Sequence, residues 1–423
     1  MTSNTRVVVI GAGLAGVRLA RRLGELGVSA VLVSEEAHTP YNRVLLADVL
    51  AGRYTPEVIA LPAPAEITRG QVTGIDRAAR EVYCADGSVI AYDTLVLATG
   101  SNPVLPALRG LFDPHRHELP DGVHAFRTMD DCLGLSKAVR PGVRAVVIGG
   151  GLLGVSAARA LARRDAQVVL AQQGERLMER QLDPSASKLV RRHLTDLGVE
   201  VHTESRVRGV RCVGGAVRSV EMADGYALDA DILVLACGVR PRVSLAVRAG
   251  LAVHKGVLVD DELRTSDPHI RAIGDCVQHD GQVYGLATPA LEQADVLAEL
   301  LAAETGAETG AETGAEAGAA GGAAARYTGT RALTRLTLAG GDFFDLAAFG
   351  EPDPRPGDDV VQLADATRGT YRKVVVRDDR LVGGVLVGEL GTVGALARAW
   401  EGAEPLPQGR APLLHLLTND GGS

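Results

Sequence analysis

Apolar runs separated by a glycine-rich turn occur twice along the chain. Residues 6–35 predict a strand (RVVVI), a tight turn (GAGLAG), a helix with apolar residues at helical spacing (VRLARRLGEL) and a second strand (SAVLVSE). Residues 144–172 repeat this pattern as RAVVI, GGGLLG, VSAARALARR and AQVVLAQ. Each run predicts one βαβ unit, so the sequence predicts two nucleotide-binding domains of the same kind.

Two shorter apolar runs end in glycine at equivalent places in the two halves. They are TLVLATG at residues 94–100 and ILVLACG at residues 232–238. Each predicts a buried strand that closes its domain and delivers a backbone turn to the bound nucleotide. The expected fold class is therefore α/β, with two Rossmann-like domains.

The sequence changes character after residue 302. The tetrapeptide AETG occurs three times in register in residues 303–314, and an Ala/Gly-rich stretch follows up to residue 325. A glycine inside a helix costs about 1 kcal/mol relative to alanine, so a glycine at every fourth position favours a flexible spacer. Beyond it, the runs RALTRLTLAG, YRKVVVRDDRLVGGVLVG and VGALARAWEGA predict the strands and helix of a small α+β domain.

The distribution of charged residues, cysteines and histidines argues against several classes of function. The 52 acidic and 44 basic residues are spread along the chain and give a net charge of −8, so no basic tract favours nucleic acid or anionic lipid. The five cysteines form no C-x-x-C pair and the ten histidines form no ligand pattern, so no metal site is expected. Because the sequence has neither a leader nor an apolar run of about 18–20 residues, we expect a reduced, cytoplasmic protein.

The first glycine-rich turn carries a dinucleotide fingerprint. Gly11, Gly13 and Gly16 form G-x-G-x-x-G between a strand and a helix, where the backbone can approach a pyrophosphate. Glu35 ends the next strand, where a carboxylate accepts hydrogen bonds from an adenosine ribose. Together these residues predict a dinucleotide site in the first domain.

The second turn repeats the fingerprint with Gly149, Gly151 and Gly154. Gln172 stands where the ribose-binding acid is expected. A glutamine can hydrogen-bond a 2′-hydroxyl, whereas a 2′-phosphate favours arginine, and the nearest arginine, Arg176, lies further along the chain. The sequence therefore predicts NADH as the ligand in preference to NADPH.

Segments further along the chain carry a family resemblance. The segment RAIGDC, which contains Gly274 and Asp275, and the segment YGLATPALEQ resemble the flavoprotein reductases of the pyridine nucleotide-disulfide oxidoreductase superfamily. The resemblance implies a glutathione-reductase-like fold, with FAD on the first fingerprint and NAD(P)H on the second. It implies that Gly238 contacts NAD(P)H. It also implies a set of FAD contacts outside the first fingerprint, namely Arg43, Val72, Thr99, Gly100, Arg127, Asp275 and Ala287.

Three other segments are similar to a narrower group, the N-terminal portion of the assimilatory nitrite reductase large subunit. They are PYNRVLLADVLAG, RLMERQLDPSAS and YRKVVVRDDRLVGGVLVGE. This resemblance implies an electron-transfer subunit that passes electrons from NADH through FAD to a separate iron–sulfur or molybdenum protein of nitrate or nitrite assimilation. The chain stops at NDGGS, before the iron–sulfur and sirohaem parts of the family's large subunit, so we expect it to need that partner.

The resemblance also sets the expected domain boundaries. Residues 1–118 and 245–301 are expected to form a discontinuous FAD-binding domain, and residues 119–244 an NAD(P)H-binding domain. Residues 302–325 are expected to be the linker. Residues 326–423 are expected to form a C-terminal α+β interface domain.

Two alternative functions stay open. One is a rubredoxin or ferredoxin reductase that serves an oxygenase, and the other is an NADH-sensing flavoprotein that resembles apoptosis-inducing factor. No cysteine occupies the positions of the redox-active thiols of related disulfide reductases, so we expect hydride transfer by the flavin without a catalytic side chain. The chain also departs from many relatives at Asp48 and Ser156, where they place a lysine and a glutamate that pair beside the flavin.

Overall fold

The computed structural model describes residues 6–63, 67–112, 118–306, 325–331, 333–338, 344–365, 367–402 and 417. The chain divides into two compact units. The first comprises Met1–Leu45, Tyr54–Asn102 and Val239–Thr330, and the second comprises Leu46–Arg53, Pro103–Gly238 and Arg331–Ser423.

The strands and helices alternate in the nucleotide-binding parts and then give way to a run of strands. The strands are β1 Val7–Ile10, β2 Ala30–Ser34, β3 Ile67–Arg69, β4 Val72–Asp76, β5 Glu81–Cys84, β6 Val89–Ala91, β7 Thr94–Leu97, β8 Ser101–Pro103, β9 Val123–Ala125, β10 Arg144–Ile148, β11 Gln167–Ala171, β12 Glu200–His202, β13 Val207–Val213, β14 Ala216–Met222, β15 Ala227–Asp229, β16 Ile232–Leu235, β17 Val239–Pro241, β18 Val257–Val259, β19 Ile270–Ala272, β20 Val277–His279, β21 Leu333–Leu338, β22 Phe344–Gly350, β23 Asp359–Asp365, β24 Thr370–Arg377 and β25 Arg380–Val387. The helices are α1 Leu14–Glu25, α2 Leu46–Leu50, α3 Met129–Ala138, α4 Leu152–Ala162, α5 Pro184–Asp196, α6 Ser244–Arg248, α7 Ala287–Thr305 and α8 Val393–Gly402, with 3-10 turns at Arg43–Leu45 and Gly274–Cys276.

A five-stranded parallel sheet forms the centre of the first unit, in the order β19-β7-β1-β2-β3. Strand β1 is buried on both faces, which explains its unbroken apolar run. Val9 belongs to a core shared with helices α1 and α7, and Val8 belongs to a core shared with the β4-β5-β6 meander. These two layers hold the carboxyl end of β1, where the first fingerprint begins.

The second unit repeats this arrangement. Its parallel sheet has the order β12-β11-β10-β16-β9, and the second fingerprint follows β10. The β13-β14-β15 meander contributes Val210 and Val220 to the core that contains Val146 of β10. The structure confirms the predicted duplication of a Rossmann-like domain within an α/β fold.

The C-terminal part of the second unit is an antiparallel sheet in the order β21-β22-β25-β24-β23. Helix α8 packs on it through Trp400, whose ring lies 5.3 Å from that of Phe349. This confirms the predicted small α+β domain. Strand β24 also contacts α5, because Tyr371 Oη and Lys373 Nζ donate to Asp183 Oδ2 at 2.5 and 2.9 Å.

The two compact units are a division by packing and are not the same as the expected cofactor-binding domains. Residues 46–53 lie in the second unit, where α2 packs on α3 and α4. The middle segment of the second unit runs from Pro103 to Gly238. The expected boundaries of the FAD-binding and NAD(P)H-binding domains stay predictions.

The expected linker also begins later than its composition suggests. Helix α7 extends to Thr305 and so contains most of the first AETG repeat, while residues 307–324 lie outside the described residues. Residues 325–330 belong to the first unit. Within them, the N–H of Tyr327 donates to the carbonyl oxygen of Asp261 at 2.8 Å. Tyr327 is buried in the core beside α1 and α7.

Candidate functional site

The first fingerprint turn packs tightly on the end of β7. Gly11 has φ +114°, and a Cβ there would lie 2.2 Å from the carbonyl oxygen of Ala98. A Cβ on Gly16 would lie 1.9 Å from the carbonyl oxygen of Gly11. A Cβ on Gly13, by contrast, would meet no protein atom within 4 Å. Packing therefore requires the two outer glycines, whereas the middle one faces open space of the kind that a pyrophosphate needs.

The helix after this turn is suited to an anion. Gly13 is the N-cap of α1 and has no side chain to cap the helix, and the first turn of α1 contains no acidic residue. The first N–H groups of a helix have no partner within the helix and carry partial positive charge. They fit a phosphate group.

Thr99 and Gly100 form the turn that follows β7. Gly100 has φ +71°, a conformation that favours glycine, and a Cβ there would meet no protein atom within 4 Å. Thr99 Oγ1 donates to the carbonyl oxygen of Arg242 at 2.9 Å. Both predicted FAD residues thus lie at the same sheet edge as the first fingerprint.

Asp275 lies in the Gly274–Cys276 turn, close to the start of α1. A Cβ on Gly274 would lie 3.1 Å from the Cβ of Ala15, and the Asp275 carboxylate accepts a hydrogen bond from Ser101 Oγ at 2.8 Å. The fold therefore brings Asp275 together with the fingerprint, although more than half of the chain separates them.

Helix α7, which begins at Ala287, is held to this same turn. Gln293 of α7 is buried, and its Oε1 accepts a hydrogen bond from the backbone N–H of Gly274 at 2.7 Å. Ala287, another predicted FAD residue, therefore opens a helix whose first two turns are anchored beside Asp275.

Glu35 follows β2, and its carboxylate forms an ion pair with the guanidinium of Arg242. Arg242 Nε also donates to Asn102 Oδ1 at 2.7 Å. Sequence reasoning missed Arg242, although the segment GVRPR follows the glycine-ended run of residues 232–238 and so could have been expected near a nucleotide.

Arg43 and Val72 contact other parts of the first unit. Arg43 Nη2 lies 3.0 Å from Glu36 Oε1, and Tyr41 Oη donates to the other Glu36 oxygen at 2.6 Å. The Arg43 guanidinium also lies 5.6 Å from the centre of the Tyr41 ring. Val72 packs against the core beneath the meander. The FAD roles of Arg43 and Val72 stay predictions.

Arg127 lies in the second unit, immediately before α3. Thr128 caps this helix, and the backbone N–H of Arg127 donates to Asp131 Oδ2 at 3.0 Å. Its predicted contact with FAD stays a prediction.

The second fingerprint has the same division of roles as the first. Gly149 has φ +109°, and a Cβ there would lie 2.4 Å from the carbonyl oxygen of Ala236, while a Cβ on Gly154 would lie 1.7 Å from that of Gly149. A Cβ on Gly151 would meet no protein atom within 4 Å. Gly238, three residues after β16, has φ +96°, and a Cβ there would meet no atom of the described residues within 4 Å.

The side chain of Gln172 is turned toward the second fingerprint. Its Oε1 accepts a hydrogen bond from the backbone N–H of Gly150 at 2.8 Å, and its Nε2 donates to the carbonyl oxygen of Arg176 at 3.4 Å. Gln172 therefore supports the turn of the second fingerprint. Its predicted contact with a ribose stays a prediction.

Carboxylates lie close to Gly174 and Arg176, which follow Gln172 in the sequence. A Cβ on Gly174 would lie 2.3 Å from Glu179 Oε2. The guanidinium of Arg176 has one nitrogen 3.9 Å from Glu175 and another 3.9 Å from Asp353. Arg176, the first arginine after β11 in the sequence, therefore has carboxylates within 4 Å.

Two family models match the chain. The pyridine nucleotide-disulphide oxidoreductase family matches residues 5–294, which contain both fingerprints and the Gly274–Cys276 turn. The chain belongs to this family. The rubredoxin NAD+ reductase C-terminal domain matches residues 334–401, the antiparallel sheet with α8. The chain is therefore an NAD(P)H-dependent oxidoreductase of the FAD type, and it takes FAD and a nicotinamide cofactor.

Curated relatives and a solved structure agree with this assignment. The assimilatory nitrate reductase electron transfer subunit of Bacillus subtilis (strain 168) is 30% identical over 397 residues, covering 91% of this chain and 48% of the relative. The rubredoxin-NAD(+) reductase of Pseudomonas putida is 33% identical over 281 residues, covering 64% and 71%. The putidaredoxin reductase–putidaredoxin complex has a TM-score of 0.81 at 24% identity and covers 98% of each chain. The chain spans about half the length of the nitrate and nitrite reductase relatives that it matches.

Four of the five cysteines have a raised pKa. All five are free. Burial raises the pKa of Cys132 to about 11, and it also raises the pKa of Cys212, Cys237 and Cys276. Because the thiolate is the reactive form, these raised pKa values favour the less reactive thiol in all four side chains.

Asp48 and Ser156, the two positions at which the sequence is expected to depart from relatives, both contact neighbours within the second unit. Asp48 pairs with Arg53 at 3.4 Å, and Ser156 Oγ donates within α4 to the carbonyl oxygen of Leu152 at 2.8 Å. Arg159, on the next turn of α4, is buried, and desolvation lowers its pKa to about 10 while the charge of Asp48 opposes this shift. The acidic residue Asp48 therefore lies on α2, and the basic residue Arg159 lies on α4.

No group of three or more His, Cys, Asp or Glu side chains that could hold a metal ion occurs among the described residues. Within the same residues, no helix combines the length and the apolar character that a membrane crossing requires.

Proposed function

We propose that this chain oxidises NADH in the cytoplasm and passes the electrons to a separate iron–sulfur or molybdenum protein of nitrate or nitrite assimilation. FAD, when bound, supplies the chemistry, since it accepts a hydride and can release electrons singly. The residues of the first fingerprint, with Glu35, Thr99, Gly100, Asp275 and Ala287, hold FAD. The residues of the second fingerprint, with Gly238, hold NADH.

The observation that carries this proposal is the repeated open turn. In each unit the first and third glycines of the fingerprint are needed for packing. A Cβ on the middle glycine, Gly13 or Gly151, would meet no atom of the described residues within 4 Å. Two such turns in one chain fit two dinucleotides, which is the minimum that transfer from a nicotinamide to a flavin requires.

The acids around Arg176 support NADH in preference to NADPH. A 2′-phosphate needs a free cation, usually an arginine. Arg176 lies 3.9 Å from carboxylates on two sides, and the Glu179 carboxylate lies against Gly174. The extra negative charge of NADPH would be repelled there, so we propose a higher kcat/KM for NADH.

The assignment to nitrogen assimilation is supported by the extent of the similarity. The match to the Bacillus electron transfer subunit extends over 91% of this chain, whereas the match to the rubredoxin reductase extends over 64%. A second candidate acceptor is nevertheless a rubredoxin or ferredoxin, because residues 334–401 match the rubredoxin NAD+ reductase C-terminal domain.

Reconstitution with purified acceptors tests the proposal. The protein and NADH are mixed anaerobically with an assimilatory nitrate reductase, an assimilatory nitrite reductase, a rubredoxin or a ferredoxin, and product or acceptor reduction is followed. We expect NADH-dependent nitrate or nitrite reduction that requires both proteins. No product with either enzyme, together with rapid reduction of the rubredoxin or ferredoxin, would assign the chain to the second candidate.

A further inference from the structure

Arg242 connects three parts of the first unit at the carboxyl ends of its parallel strands. Its guanidinium pairs with Glu35 after β2, and its Nε donates to Asn102 Oδ1 at 2.7 Å. Its backbone is held independently, because its N–H donates to the carbonyl oxygen of Gly100 and its carbonyl oxygen accepts from Thr99 Oγ1, both at 2.9 Å. The position of Arg242 is therefore fixed without its side chain.

Glu35 by itself is a poor neighbour for a pyrophosphate. The carboxylate stands beside the fingerprint, since the N–H of Gly11 donates to the carbonyl oxygen of Val33 at 2.8 Å, two residues before Glu35. Like charges at such a sheet edge repel each other. The guanidinium of Arg242 balances the charge of Glu35, and a carboxylate with two oxygens can accept hydrogen bonds from an arginine and a ribose together.

We propose that Arg242 is a binding residue for the adenosine half of FAD. Its side chain orients Glu35 toward the ribose hydroxyls and balances the charge of that carboxylate. This inference rests on the FAD site of the proposed function and adds to it a residue that lies far from both fingerprints in sequence. FMN lacks the adenosine monophosphate group, so Arg242 is expected to discriminate FAD from FMN.

The ion pair between Arg242 and Glu35 is not expected to contribute much to the stability of the fold. The side chains of Arg242 and Glu35 are 33% and 40% exposed, and exposed pairs contribute little to stability. Replacing Arg242 should therefore leave the folded apoprotein nearly as stable as wild type. The consequence should be seen in ligand binding.

Titration of the apoprotein with three probes tests the inference. FAD and FMN are followed by the change in flavin fluorescence, and AMP is measured by its competition with FAD. The variants are Arg242→Met, which removes the charge, and Arg242→Lys, which keeps it but cannot reproduce both hydrogen bonds. Arg240→Met is the matched control, because Arg240 is an exposed arginine two residues earlier.

We expect Arg242→Met to raise the Kd for FAD about ten- to a hundredfold, the loss expected for a hydrogen bond to a charged group. AMP competition should weaken in parallel, FMN binding should be unchanged, Arg242→Lys should be intermediate, and Arg240→Met should match wild type. Thermal unfolding of the apoprotein checks that each variant is folded.

Three results would overturn the inference. They are wild-type FAD affinity in Arg242→Met, equal weakening of FAD and FMN in that variant, and an equal loss in Arg240→Met. Failure of the wild-type apoprotein to bind FAD would contradict the proposed function as well, and the two failures are thus distinguishable.

Discussion

At the scale of single residues, Gly13 and Gly151 are the most informative positions in the chain. Each is the middle glycine of its turn, and neither is required by contacts with protein atoms. Their neighbours Gly11, Gly16, Gly149 and Gly154 would each place a Cβ within 2.5 Å of a backbone oxygen. A substitution at a middle glycine therefore tests ligand binding, whereas one at an outer glycine tests folding.

We expect Gly13→Val to fold and to be purified as a colourless apoprotein, because the added side chain enters the space for the pyrophosphate without meeting protein. Flavin absorbance and thermal unfolding measure the two parts of this expectation. Gly24→Ala, at an exposed glycine of the same helix, is the control and should stay yellow. Full flavin content in Gly13→Val would show that FAD does not lie on this turn.

Gly151→Val should separate the two cofactors. We expect it to keep its FAD and its colour, because the substitution lies in the second unit, and to show a severely raised KM for NADH. Steady-state reduction of ferricyanide at increasing NADH measures this. A KM equal to that of wild type, in a variant that is folded and yellow, would contradict the assignment of NADH to the second fingerprint.

At the scale of elements, the contact between β24 and α5 is the main feature that local patterns did not indicate. Asp183 caps α5 through the N–H of Ala186 at 2.9 Å and also binds Tyr371 and Lys373. Lys373 and Asp183 are 8% and 3% exposed. The C-terminal sheet is thus bound to the nucleotide-binding part of its unit by a buried, charged hydrogen-bond cluster.

We expect Asp183→Asn to lower the free energy of unfolding by about 3 kcal/mol near neutral pH, because it leaves the buried Lys373 without a carboxylate. Desolvation raises the pKa of Asp183, but hydrogen bonds from Tyr371, Ala186 and Lys373 outweigh it and hold the pKa below 3.8. Because the pKa of Asp183 is lower in the folded state than in the unfolded state, its ionised carboxylate stabilises the fold at pH values above the unfolded pKa. This contribution is lost as the pH falls below about 4.

Denaturant unfolding at several pH values measures this effect. The difference between wild type and Asp183→Asn should shrink below about pH 4. Asp196→Asn is the control, because Asp196 lies on the same helix in a pair that is 70% exposed on both sides, and exposed pairs contribute about 0–1 kcal/mol. A pH-independent difference for Asp183→Asn would mean that its carboxylate is not the stabilising group.

The first AETG repeat contains a residue that contacts a buried side chain. Glu304 Oε1 accepts a hydrogen bond at 2.7 Å from Arg271, a side chain that is 4% exposed. We expect Glu304→Gln to lower the free energy of unfolding by about 1–3 kcal/mol, the usual cost of losing a hydrogen bond to a buried charge.

Deleting residues 307–314, two whole repeats, should instead leave stability, flavin content and ferricyanide reduction nearly unchanged. The entropy of closing a loop varies by only about 0.6 kcal/mol for each doubling of its length. Denaturant unfolding of both variants compares them. A colourless or aggregated deletion product would show that these repeats are needed for folding.

At the scale of the whole molecule, the sequence predicts what is local. Each fingerprint occupies one βαβ unit, so its glycines and their surroundings could be read from spacing and apolar pattern. Arg242 and Glu35 are 207 residues apart, and Tyr371 and Asp183 are 188 apart. No periodicity joins such positions, because their contact depends on how separate segments pack.

The same reason explains why the packing of residues 46–53 and the end of α7 could not be predicted from local patterns. Residues 46–53 follow the first fingerprint in sequence but pack with α3 and α4 in the second unit. The Ala/Glu content of the repeats indicated a spacer, yet tertiary contacts of Glu304 and the apolar core of α7 extend the helix into the first of them. The glycine of that repeat, Gly306, follows the helix as its C-cap with φ +66°, so the helix ends where the first glycine occurs.

The central claim is that electrons pass from NADH on the second site to FAD on the first, and an anaerobic titration of the purified yellow protein with NADH tests it most directly. We predict that one equivalent of NADH bleaches the flavin absorbance, that ferricyanide restores it, and that Gly151→Val requires far more NADH for the same bleaching. A flavin that stays oxidised in excess NADH, or a Gly151→Val protein that titrates like wild type, would contradict the account.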